Sequence, residues 1–225
     1  FIVGIGSVLS QINSPKCKVW GSGIISKNDI VNPARYHAVR GKFSQKRLME
    51  LNITPPVVIG DPAILLPLVY NKKVIPNHLL GVIPHYIHFD VISKSLNDDK
   101  LNLINLTESI EKVIDQIKSC KFIISTSLHG IIVSHAYGIP SLWVDGGHKK
   151  LGGDDVKFLD YFSSVGINAY KPFALDFTNF NIENIINLFN ENESLSNVDK
   201  GKIYEIQKKL IDCAPFNVLD EYRIS

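Results

Sequence analysis

Short apolar runs alternate along most of the chain with stretches in which apolar positions recur every three or four residues. The first pattern fits strands buried on both faces and the second fits amphipathic helices, so their alternation predicts parallel βαβ units. Phe1 to Ile5 predicts a first strand ending in Gly4-Ile5-Gly6-Ser7, and Lys18 to Trp20 a second ending in Gly21-Ser22-Gly23. Tyr36 to Val39 predicts a third, followed by Arg40-Gly41-Lys42 and a helix that Ser44 is placed to cap. Val57 to Ile59 predicts a fourth strand, turning at Gly60-Asp61-Pro62.

The polar stretch from Val69 to His78 reads as a link between halves. Beyond it, strands are predicted at Leu79 to Ile83, Leu101 to Leu106, Phe122 to Ser125 and Ser141 to Val144. Ile110, Val113, Ile114 and Ile117 form one apolar stripe on a helix after Thr107. A second helix runs from about Leu128 to Tyr137 and stops at Gly138 and Pro140. Ile182, Ile185, Ile186 and Phe189 mark a third, and Ile203, Ile206 and Leu210 a last one, with a loop over 190–199. The expected fold class is α/β with two Rossmann-like domains, 1–74 and 75–225. One larger α/β sheet is the alternative. The chain opens at Phe1 inside a strand-like run, so the N-terminal domain is expected to lack its first elements.

Composition narrows the function classes. The hydrophobic share of 45% and charged share of 20% suit a globular core. A net charge of +2, with both signs interspersed, argues against a nucleic-acid surface. No apolar run reaches the roughly 18 residues that span a bilayer. Cys17, Cys120 and Cys213 are too far apart for a zinc site and odd in number, which favours a reducing cytoplasm. There is no Asp-x-Asp, His-Glu-x-x-His or Gly-x-Ser-x-Gly, so metal-dependent transfer, zinc protease and α/β-hydrolase readings lose their usual marks.

The strongest local signal is Ser125-Thr126-Ser127-Leu128-His129-Gly130, where a strand feeds directly into a helix. Free N–H groups and the helix dipole favour an anion there. Gly130 removes bulk where a ligand would approach, and His129 is placed to donate a hydrogen bond or move a proton. The plain alternative is a capped helix with His129 bonded to backbone. Arg40 at a strand end, beside Gly41, suits bidentate binding of phosphate or carboxylate. Its alternative is a solvated turn. His85 and Asp61 sit in turns of their own and are equally able to bond their own backbone. Gly146-Gly147-His148 with Lys149-Lys150 reads as a mobile loop able to meet an anion.

Taken in order, Gly4 to Ser7, Val19 to Gly23, Val39-Arg40-Gly41, Gly60 to Ala63, Pro84-His85-Tyr86, Ser127 to Gly130 and His135 to Pro140 resemble the polysaccharide pyruvyl transferase family. The resemblance runs to about residue 170 and implies a GT-B-like fold of two Rossmann-like domains. It implies transfer of a pyruvyl group from phosphoenolpyruvate to a sugar of a cell-surface polysaccharide or its precursor, leaving a ketal. Arg40 is then expected to contact phosphoenolpyruvate, with Ser127, Leu128, His129 and Gly130 lining the same site. His129 is expected to serve as acid or base, with His85 or Asp61 in the complementary role. Some relatives carry Arg where Ser127 stands, and Lys157 or Lys149 is placed to compensate. No metal and no cofactor are implied, phosphoenolpyruvate being the donor substrate. The acceptor is a sugar, free or lipid-linked, which gives a cytoplasmic protein, peripheral at the inner membrane face in the second case. The wealth of Lys, Asn and Ile points to a bacterial pathway. A GT-B glycosyltransferase using a nucleotide sugar, and a non-catalytic binding relative, are the competing readings.

Overall fold

The structure, a computed structural model, describes residues 1–96, 100–147 and 151–224. Its strands in chain order are β1 (Ile2–Val3), β2 (Lys18–Trp20), β3 (Arg35–Val39), β4 (Val58–Ile59), β5 (His78–Ile83), β6 (Leu101–Leu103), β7 (Cys120–Ser125), β8 (Ser141–Asp145) and β9 (Phe173–Ala174). The helices are α1 (Lys42–Glu50), α2 (Leu66–Val69), α3 (Phe89–Ser95), α4 (Ile110–Lys118), α5 (Leu128–Ala136), α6 (Val156–Val165), α7 (Ile182–Glu191), α8 (Glu193–Ser196) and α9 (Lys200–Asp212).

The chain divides into two compact units. Unit 1 is Phe1–Val69 with Leu151–Ala169 and Asp199–Ser225; unit 2 is Tyr70–Lys150 with Tyr170–Val198. They are therefore not the consecutive stretches 1–74 and 75–225 expected from the sequence. The polar stretch after Val69 does mark a crossing, but the chain crosses again near residues 151, 170 and 199. Unit 1 carries a sheet in the order β1-β2-β3-β4, and unit 2 one in the order β6-β5-β7-β8-β9. Every strand pair in both is parallel. Two parallel sheets with helical crossovers are the α/β architecture that the alternating pattern predicts, and each unit is consistent with a Rossmann-like fold.

Unit 1 encloses a core of Leu9, Ile12, Val19, Ile24, Val39 and Leu48, to which α6 contributes Val156. α9 is tied to the same unit by directional bonds. Trp20 Nε1 donates to Leu210 O at 2.8 Å, and Gln207 Nε2 donates to Ile64 O at 2.8 Å. These contacts explain why residues far along the chain return to its first sheet. In unit 2, one cluster holds Leu80, Val82, Ile124, Leu142, Phe177 and Phe189, and another holds Ile83, Ile117 and Ile123. On α4, Ile114 and Ile117 are buried as the stripe predicts, while Ile110 in the first turn stays exposed. No helix of the described residues is long and apolar enough to cross a membrane.

His135 on α5 is a core group. It is buried, and its Nε2 lies 3.1 Å from Ser196 O, to which it donates in the neutral form. Burial pushes its pKa down to about 4. A histidine kept neutral in the fold contributes stability that is whole above about pH 6.5, its unfolded value, and is lost as pH falls towards the folded value. Stability is expected to drop by about 3 kcal/mol between pH 7 and pH 4 from this group. Urea denaturation across that range checks it, and His135→Gln should flatten the slope.

Candidate functional site

Parallel sheets build their sites at the carboxyl ends of the strands. In unit 1 the end of β3 leads into Arg40, Gly41 and α1. Arg40 is completely buried. Its Nε donates to Asp160 Oδ2 at 3.1 Å, Nη1 to Ser7 Oγ at 2.6 Å and Nη2 to Ile24 O at 2.6 Å. The carboxylate of Asp160, on α6, also accepts from Ser44 N at 2.9 Å and Ser44 Oγ at 2.6 Å. Lys42 N donates to Ser163 Oγ at 2.9 Å. The first turn of α1 is thus capped by a neighbouring helix, and Gly41 supplies no side-chain cap itself.

Two expectations change here. Ser44 does not cap α1 as its N-cap residue; it is a buried residue inside the helix, bonded to Asp160. Arg40 does not sit in a solvated turn, having no exposed surface. Its guanidinium is engaged inside unit 1, and the anion that the strand end and helix N-terminus attract is the protein's own Asp160.

Lys157, on the same α6, is half-buried, with its Nζ 5.6 Å from the centre of the Phe158 ring. Burial, and then the charge of Arg40, hold its pKa below the usual lysine value. A cation in that setting gains from an approaching anion. Asp61 is buried, and its Oδ1 accepts from Ala63 N at 3.0 Å, capping the short turn Pro62–Leu65. It lies in unit 1, whereas His85 and His129 lie in unit 2. Lys149 and His148 fall outside the described residues.

In unit 2 the paired ends of β5 and β7, with Ile83 opposite Ser125, carry the remaining residues. β7 runs through Thr126 and Ser127 into α5, so His129 stands in the first helical turn. That turn has no acidic residue, and Ser127 makes no side-chain capping bond. Ser127 and Leu128 are buried and His129 is half-buried. Ser125 Oγ accepts from Ser127 N at 2.9 Å and lies 2.8 Å from Ile83 O, stitching the two strand ends together.

Gly130 is explained by that stitching. A Cβ there would come within 2.4 Å of Ser125 Oγ and 3.0 Å of Ile83 Cγ2. The space that the missing side chain leaves is taken by the strands, not left for a ligand. His85 N donates to Thr126 Oγ1 at 2.8 Å, and Ile87 N approaches His85 Nδ1 at a long 3.5 Å. The His85 ring packs on Tyr86, with centroids 4.5 Å apart. Two further residues stand out, one in each unit. His88 is buried with its Nδ1 3.0 Å from Thr126 Oγ1, and Asp160 pairs with Arg40.

The sequence profile of the polysaccharide pyruvyl transferase family matches residues 16–148. The chain belongs to that family. The match covers β2 through β8 and so takes in Arg40, Asp61, His85 and the Ser127 to Gly130 turn. An uncharacterized protein of Acanthamoeba polyphaga mimivirus is 33% identical over 195 residues, covering 78% of this chain and 68% of that protein. No solved structure matches the chain. This chain carries Ser127 immediately before Leu128-His129-Gly130, and Asp160 pairs with Arg40. Among the described residues no group of His, Cys, Asp and Glu is arranged to hold a metal ion.

Proposed function

We propose that this polysaccharide pyruvyl transferase moves the pyruvyl group of phosphoenolpyruvate onto two hydroxyls of a sugar, forming a cyclic ketal. The observation that carries the reading is the shared edge of β5 and β7, which gives His85 and the His129 turn of α5 neighbouring strand ends. The donor's phosphate and carboxylate are suited to the first-turn N–H groups of α5, where no acidic residue competes. In unit 1 the corresponding anion-seeking group is Lys157.

The chemistry needs a proton on the methylene carbon of the donor while a sugar hydroxyl adds to the adjacent carbon. Phosphate then leaves, and a second hydroxyl closes the ketal on that carbon. The two hydroxyls release two protons, of which one ends on the new methyl group and one on phosphate. His129 is assigned as the acid and His85 as the base for the incoming hydroxyl. The GT-B-like plan implied by the resemblance, cytoplasmic residence and a lipid-linked form of the acceptor belong to the same proposal.

Calorimetric titration of phosphoenolpyruvate, together with phosphate release in the presence of candidate sugars, tests it. His129→Gln is expected to lower turnover by about 100-fold to 10,000-fold while retaining donor binding. Turnover near wild type in that variant would remove His129 from the mechanism. Failure of the wild type to bind the donor would return attention to a nucleotide-sugar donor.

A further inference from the structure

The Thr126 hydroxyl touches two parts of one turn. It accepts the His85 N–H at 2.8 Å and stands 3.0 Å from His88 Nδ1. The turn between them is closed by His88 N donating to His85 O at 2.7 Å, after which His88 opens α3. Thr126 itself is anchored, its N–H reaching Ile83 O at 3.2 Å. Both Thr126 and His88 are almost fully buried, with 4% and 5% of their surface exposed. A buried hydroxyl must dispose of its single hydrogen. One lone pair of Oγ1 already receives the His85 N–H, and His88 Nδ1 is the acceptor within reach on the other side.

We propose that Thr126 and His88 are positioning residues for His85. The Thr126 hydroxyl donates to His88 Nδ1, which leaves the His88 proton on Nε2 and holds the neutral ring in one orientation. The same oxygen holds the His85 backbone against the end of β7, one residue before the turn that carries His129. A single hydroxyl thereby fixes the spacing between the two strand ends that present the reacting groups. Neither residue needs to touch substrate to do this. Small displacements of a reacting group cost large factors in rate, on the order of 100-fold for about 1 Å.

The inference rests on the assignment of His85 to the reaction, and its test separates the two. Thr126→Val keeps the shape of the side chain and removes the hydroxyl. It should lower kcat by about 10-fold or more with KM for phosphoenolpyruvate changed by less than about threefold, because positioning is felt in the transition state. Thr126→Ser should restore kcat to within about threefold of wild type. A Val variant as active as wild type, or a Ser variant as impaired as Val, overturns the positioning role. Nitrogen-15 NMR of histidine-labelled protein reads the clamp without any turnover. His88 should carry its proton on Nε2 in wild type and Thr126→Ser, and lose that fixed tautomer in Thr126→Val. A His88 proton found on Nδ1 in wild type overturns the clamp even if the enzyme is active. A wild type with the expected tautomer but no phosphoenolpyruvate turnover overturns the proposed reaction and leaves the clamp standing.

Discussion

Replacing Asp160 by Ala is expected to cost unit 1 about 3–5 kcal/mol of stability. Arg40 has no exposed surface and cannot recover water when its carboxylate is removed. The same change strips the acceptor from Ser44 N and Ser44 Oγ and leaves the first turn of α1 without its capping anion. Chemical denaturation followed by Trp20 fluorescence reads unit 1, and a Trp143→Phe background removes the reporter of unit 2. A loss below about 1 kcal/mol would mean that Arg40 finds another partner or water. The double variant Arg40→Met/Asp160→Leu should fall well short of the sum of its single changes, because a buried pair removed whole leaves no lone charge. Arg40→Ala therefore mixes two effects. Weakened donor binding in that variant counts as a contact only if unit 1 is still folded.

Gly41→Ala should be nearly as damaging, at about 3 kcal/mol, the upper part of the range for overpacking. The backbone of Gly41 is extended, at φ −164° and ψ −172°, which any residue adopts. The cost is entirely one of space. A Cβ would lie 1.8 Å from Asp160 O and 2.5 Å from Asp160 C, and backbone atoms of a packed helix do not swing aside. α6 would have to retreat from α1, loosening the Arg40 and Ser44 bonds together. Gly152→Ala is the control in the same unit, since its added Cβ meets only Ile25 Cδ1 at 3.8 Å. That change should stay within about 0.5 kcal/mol. Equal melting temperatures for the two variants would show that α6 does not hold this position.

The unequal legibility of the two units follows from the same packing. Several strand ends are readable because the strand is short, largely apolar and followed by Gly or Pro, as at Gly21, Gly60 and Pro84, and β2 runs from Lys18 to Trp20 as expected. α4 and α5 were readable from their apolar spacing and stop signals. α6 carries a signal of the same kind, with Phe158, Tyr161, Phe162 and Val165 at i, i+3, i+4 and i+7 and all buried, yet it is absent from the expected elements. Asp160, in the middle of that run, is the trace that was open to use: a charge in an otherwise buried helix requires a buried partner. Arg40 is legible as a cation at a strand end, but Asp160 lies 120 residues away in the sequence. The return of 151–169 and 199–225 to unit 1 has no local signature at all. It depends on which sheet has room for an apolar face. In unit 2, His129 and His85 were legible as turn residues, whereas His88 became visible only through its bond to Thr126.

The distance in sequence between Arg40 and Asp160 also matters while the chain is being made. Synthesis delivers the first sheet, its buried guanidinium and the N-terminus of α1 well before the helix that neutralises and caps them. Until 151–169 emerges, Val19, Val39 and Leu48 lack the Val156 contact that completes their core. The strand-forming part of unit 2 through β8 is contiguous and needs β9, α7 and α8 to finish. Unit 2 has all its residues once Val198 is made, whereas unit 1 still waits for α9, so the earlier-begun unit is the later to finish and the one in need of chaperone cover. A chain released short of α6 would leave the first sheet without the carboxylate that holds Arg40 and Ser44 and without Val156 in its core.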